Sequence, residues 1–163
     1  MNRLKVFLVF FAGIIIQTAV IPNFSIFGSY ANMTLAMTVA LAMNFGSYIA
    51  GYSGMALGLL EDLLFSQTMG VKALIYFIIG FIVGYNEDSI NKGDVRSGCI
   101  ITILATLFYW GLNTVIYMFI GNGIVITNYI KGPIFIELFL NVMLYIICHY
   151  TFKKVFKKKK FRF

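Results

Sequence analysis

Apolar residues run almost without interruption along this chain, and polar positions matter mainly as punctuation between the runs. Six apolar segments emerge, about 4–22, 30–46, 48–65, 71–85, 98–120 and 133–152. At 1.5 Å per residue, a hydrocarbon core of ~30 Å needs ~20 residues, so the first, fifth and sixth read as full membrane spans. The second, third and fourth are short. They must tilt, thin the bilayer around them, or be shielded by neighbouring helices. No charge falls between Tyr30 and Leu60, and as one helix this stretch would run ~45 Å, too long for a single span. The "NFGSY" sequence at 44–48 supplies a tight Gly-Ser turn that divides it in two.

Composition agrees with a lipid environment. Of 163 residues, 60% are hydrophobic and 12% charged, with mean hydropathy +0.87, whereas soluble domains are closer to half apolar and a quarter charged. The expected fold is therefore an all-α integral membrane bundle of six transmembrane helices with short loops. It occupies residues 1–152, and 153–163 form a basic cytoplasmic tail.

Charge sets the expected orientation. Seven of the thirteen Lys and Arg residues, Lys153, Lys154, Lys157, Lys158, Lys159, Lys160 and Arg162, follow the last apolar run. With six spans they share a side with Arg3, Lys5, Lys92 and Arg96, leaving only Lys72 and Lys131 outside. That satisfies the positive-inside rule with both termini in the cytoplasm. The tail reads as a topology anchor or as a docking segment for anionic lipid or protein, at roughly 1 kcal/mol per cation near the surface. Because the positive charge is concentrated there, nucleic acid is not an expected partner. The basic N-terminal start precedes a long apolar stretch with no clear cleavage site, and is read as an uncleaved first span. Asn23-Phe24-Ser25 and Asn32-Met33-Thr34 match the glycosylation sequon but lie too near the membrane to carry weight.

The charged positions within the runs are the candidates for function. Glu61 and Asp62 close the third segment and Lys72 opens the fourth, across the loop "FSQTMG". At 100° per residue, Gly58 and Asp62 each fall within ~20° of Gly51, Gly54 lies ~60° away from it, and Glu61 points ~80° to the side. Asp62 thus continues a glycine face, and Glu61 does not. Small residues at that spacing let helix backbones approach closely in lipid. The series Ala50, Gly54, Gly58 fits this, as do Gly80 and Gly84 in the next segment and Ala36 and Ala40 in the one before. The hairpin reads either as an interfacial ion pair, with Glu61 among headgroups and Lys72 snorkelling outward, or as a surface for a partner protein. In the sixth segment Glu137, Asn141, Tyr145 and His149 recur every four residues, a stripe that either bonds to neighbouring helices or lines a polar cavity.

Catalysis has no constellation to rest on. His149 is the single histidine, "GYSGM" breaks the hydrolase elbow at Met55, and no HExxH or Walker loop occurs. Cys99 and Cys148 lack a paired spacing. Neither a metal nor a cofactor is expected, and the reading is of a protein that is not an enzyme.

The stretch "GLLEDLLFSQTMGVKALIYFIIGFIVG" resembles the signature of the bacterial rod shape-determining protein MreD family. Gly58, Leu59, Leu60, Asp62, Leu63, Leu64, Gly70, Ala73, Leu74, Tyr76, Gly80 and Gly84 occupy the matching positions. "QTAVIP", beginning at Gln17, resembles the family's first-span motif, and Asn141 falls where many members carry an asparagine. Where the family pattern has Pro-Asp, a proline and a histidine, this chain has Ala31-Asn32, Thr68 and Lys72. The resemblance implies a non-catalytic, multi-pass plasma-membrane subunit of the cell-elongation complex. Its implied partners are an MreC-like bitopic protein, an MreB-like filament, and the glycosyltransferase and transpeptidase of lateral-wall peptidoglycan synthesis. It also implies a fold similar to the substrate-binding subunits of energy-coupling-factor transporters. A small-molecule transporter subunit is therefore the alternative, and a proton- or ion-coupled enzyme using Glu61, Asp62 and Glu137 is a more distant one.

Overall fold

Gly46 divides the uncharged stretch. Its φ of 87° lies in the left-handed region that favours glycine, and it separates helix α2, Met33–Phe45, from helix α3, Ser47–Phe65. A computed structural model describes residues 3–23, 28–66, 68–85, 94–120 and 133–155. Within these the chain is helical. Before α2 comes α1, Arg3–Ile15, extended by a π-helical turn, Ile16–Val20, and a 3₁₀ turn, Ile21–Asn23. After α3 come α4, Val71–Tyr85, α5, Val95–Phe119, and α6, Pro133–Val155. The polar loop around Lys92, the 121–132 loop with Lys131, the first sequon beyond Asn23, and the tail cations Lys157, Lys158, Lys159, Lys160 and Arg162 lie outside the described residues. Lys153 and Lys154 form the exposed last turn of α6.

Each helix runs opposite to the one before it. Gln17 meets Met33 and Gly13 meets Met37. Thr34 meets Glu61 while Thr38 meets Gly54. Gly58 lies on Ala73 and Gly80 on Ala50. Thr68 and Tyr76 reach Tyr117 and Tyr109, and Trp110 and Thr106 reach Glu137 and Asn141. Consequently the N-terminal end of α1 and the C-terminal end of α6 point the same way. The opposite end of the bundle carries the α3–α4 turn.

The short α2 is the centre of the bundle. Its 13 residues span ~20 Å, and every residue from Met33 to Met43 is buried. A helix apolar all round and enclosed by protein needs no length to match a bilayer. Shielding by neighbours, one of the three expected accommodations, thus explains its shortness. Around it, α5 and α6 are the two helices among the described residues long and apolar enough to cross a membrane by themselves.

The α3–α4 pair packs backbone to backbone. A methyl group added at Gly58 would sit 2.7 Å from the Ala73 backbone nitrogen, and one at Gly80 would sit 2.7 Å from the Ala50 carbonyl carbon. At Gly54 it would meet both Thr38 and the Tyr76 carbonyl at about 2.9 Å, and at Gly84 it would run into the Ser47 backbone. Gly51 is less confined, with the Phe77 ring 3.4 Å away.

Candidate functional site

Two helix N-termini inside this bundle pose the same physical problem. The first turn of any helix leaves N–H groups without intrahelical partners, and away from water each unsatisfied group costs several kcal/mol. Helix α4 starts from Gly70, whose φ of 93° requires glycine. Glycine has no side chain with which to cap. Asp62 supplies the cap from the preceding helix. Its Oδ2 accepts the backbone N–H of Gly70 at 3.0 Å, of Lys72 at 3.0 Å and of Ala73 at 3.3 Å. Its Oδ1 accepts the Ser66 hydroxyl at 2.8 Å. A carboxylate 1% exposed is thus held by four donors and by the positive end of the α4 dipole.

The start of α2 is solved differently, by three side chains from three elements. Asn32 Oδ1 accepts the Leu35 N–H at 2.9 Å, a conventional N-cap. The Asn32 N–H goes to Asn141 Oδ1 at 2.6 Å, and the Met33 N–H to Gln17 Oε1 at 2.7 Å. Gln17 sits in the π-helical turn of α1. Asn141 in turn donates to Thr106 Oγ1 at 3.2 Å, tying α6 to α5.

Glu61 lies between these two termini, and here the sequence expectation fails. Glu61 is not off the packing face among headgroups; it is 2% exposed. The reason is that α3 has two neighbours. Asp62 and the glycines face α4, while Glu61, about 100° around the helix, faces α2. There it accepts the Thr34 hydroxyl. The Tyr76 hydroxyl accepts from Asn32 Nδ2 at 2.8 Å and donates toward Glu61 Oε2 at 3.5 Å. Lys72 pairs by its ammonium with Glu61, Nζ to Oε2 at 3.5 Å, and meets Asp62 only through its backbone. Lys72 itself remains about one-quarter exposed.

The sixth-segment stripe faces inward as hydrogen-bonding groups. Asn141, Tyr145 and His149 are fully buried. The Tyr145 hydroxyl lies 3.2 Å from His149 Nδ1, and Glu137 accepts the Trp110 indole N–H at 2.9 Å. Cys99 and Cys148 are free thiols, and no group of three metal-ligating side chains occurs among the described residues.

The sequence-predicted residues Gln17, Glu61, Asp62, Gly70, Lys72 and Asn141 therefore meet at the end of the bundle that carries the α3–α4 turn. Sequence reasoning gave no site role to Thr34 and Thr106, and named Tyr76 and Asn32 only as a match to and a departure from the family pattern; these four complete the network. The four-residue spacing of Thr34 and Thr38 on an otherwise apolar helix was the available signal.

A family model described as rod shape-determining protein MreD matches residues 1–156. The chain belongs to the MreD family. No curated protein and no solved structure matches the chain. Membership makes this a rod shape-determining membrane protein, and its two long apolar helices accord with that location. Within this MreD-family chain, the most recognisable motif positions, Asp62, Gly70 and the glycines 58, 80 and 84, are those that let α3 and α4 touch and that cap α4.

Proposed function

We propose that this chain is a non-catalytic subunit of the bacterial cell-elongation complex, crossing the plasma membrane six times with both termini in the cytoplasm. In this reading it joins an MreC-like bitopic protein and an MreB-like filament to the glycosyltransferase and transpeptidase that build lateral wall. The observation that carries it is the family match across residues 1–156. The regular reversal of six helices supports the topology, because it brings the basic ends to one side. Lys153 and Lys154, exposed on the last turn of α6, then lie at the inner leaflet, where a basic tail meets anionic lipid. The polar groups of the α3–α4 end are engaged in holding helices together, a structural use that suits a scaffold.

The test is co-purification. The 121–132 loop is tagged, native membranes are extracted in mild detergent, and the retained proteins are identified. A bitopic protein recovered with wall-synthesis enzymes supports the proposal. Paired ATPases with a coupling subunit would replace it with a transporter's binding subunit.

A further inference from the structure

Helix α1 does not end as a regular helix. From Ile16 to Val20 it widens into a π-helical turn, closed by the Ile21 N–H on the Ile16 carbonyl, and the 3₁₀ turn Ile21–Asn23 follows. Side chains prop the widened turn. The Thr18 hydroxyl donates to the Ile15 carbonyl at 3.4 Å, and Asn23 Nδ2 donates to the Ala19 carbonyl at 2.7 Å. Single π turns inside helices are rare and occur frequently at functional sites.

The facing of α1 explains why the turn is there. Three positions four residues apart look inward: Gly13 against Met37, Gln17 bonded to the Met33 N–H at 2.7 Å, and Ile21, which is 7% exposed. At 100° per residue a regular helix would carry Ile21 ~80° away from Gly13, whereas a turn that absorbs one extra residue returns it to within ~20°. The π turn therefore keeps Gln17 and Ile21 on the core side together, although none of its own residues is buried.

The local sequence pulls the other way. Ile21 is helical, at φ −58° and ψ −41°, and Pro22 follows it. A proline disfavours the helical conformation of the residue before it and favours an extended one. Its missing N–H also denies the Thr18 carbonyl the donor that a continuing helix would supply. Pro22 is itself exposed. Gln17 and Ile21 thus hold against the bundle a segment whose own sequence prefers to leave the helix at Ile21.

We propose that residues 16–23 form a latch with two states. In the closed state described above, Gln17 caps Met33 and Ile21 sits in the core. In the open state Ile21 becomes extended ahead of Pro22, the π turn is lost, and Gln17 leaves the head of α2. The latch sets whether the Met33 N–H is satisfied, and so couples the end of α1 to the polar network around Asn32 and Asn141. It belongs to the fold and does not depend on which proteins the chain joins.

The full chain, isotope-labelled in nanodiscs, is compared by NMR with Pro22→Ala and Gln17→Leu. In the wild type, relaxation dispersion on the μs–ms scale should appear at residues 16–23 and at Met33, with one common rate. Pro22→Ala removes the preference for the open state, so the dispersion should vanish and the Met33 amide should exchange about tenfold more slowly. Gln17→Leu removes the closing contact, so the Ile21 Cα shift should move from helical toward extended. A wild type without dispersion at these residues, or unchanged Met33 exchange in Pro22→Ala, would overturn the proposal. So would a Gln17→Leu variant in which Met33 exchanges faster while Ile21 stays helical, because Gln17 would then be a fixed cap.

Discussion

The α3–α4 pair and the α5–α6 pair are both antiparallel helix hairpins, but they are held together by opposite means. In the first, glycines bring backbones into contact and a buried carboxylate closes the seam at its turn. In the second, the helices meet through Gly98 under Tyr145 at one end and through long polar side chains further along. In lipid, burying apolar surface gives helices no reason to associate, so close packing and satisfied polar groups must supply it. The first pair uses both and is rigid by construction. The second relies on side-chain hydrogen bonds, and no residue of α5 from Leu107 to Phe119 is fully buried.

If that contrast holds, substitutions in the two pairs should differ by size of effect. The largest belongs to the seam. Gly58→Val places a side chain against the Ala73 backbone and should destabilise by about 3 kcal/mol, the upper part of the range for overpacking. Loss of folded protein in an SDS titration followed by circular dichroism would show it. Asp62→Asn comes next. It turns an ionic acceptor of three backbone N–H groups into an amide whose own N–H₂ opposes them, at about 2 kcal/mol. The same titration reads the loss, and complementation of cell shape should fail or weaken. Asn141→Ala orphans the Asn32 N–H and frees Thr106, and should cost about 1 kcal/mol. The smallest effect lies on the α5–α6 pair. Gly111 has nothing within 4 Å of where a methyl group would go, so Gly111→Ala should be neutral or stabilise by at most about 1 kcal/mol through helix propensity. A Gly111→Ala cost as large as that of Gly58→Val would erase the distinction between the pairs.

Much of the seam was legible in the sequence. The four-residue spacing of Ala50, Gly54 and Gly58 against Gly80 and Gly84 identified the touching faces, and the Gly46 break between α2 and α3 followed from length together with the Gly-Ser turn of "NFGSY". Asp62 was placed on the correct face for the same reason. Glu61 was misplaced because a single stripe was assumed for α3, whereas a helix between two neighbours buries two faces about 100° apart. The Lys72 ammonium pairs with Glu61 and not with Asp62, because the Gly70 start of α4 lacks a capping side chain. The nearest acceptor is consumed by backbone N–H groups, and the ammonium turns to Glu61. The cap of α2 could not be read locally, since Gln17, Asn32 and Asn141 come together only when α1, α2 and α6 are assembled.

The most direct test of the capping arrangement is residue-resolved amide hydrogen exchange by NMR in nanodiscs, comparing wild type with Asp62→Asn. Capping by Asp62 requires that Gly70, Lys72 and Ala73 exchange at least about tenfold faster in the variant, corresponding to about 1.4 kcal/mol of lost protection. Asn32 and Met33, held by Asn141 and Gln17, should keep their wild-type rates. Unchanged exchange at Gly70, Lys72 and Ala73, or an equal acceleration at both helix starts, would contradict it.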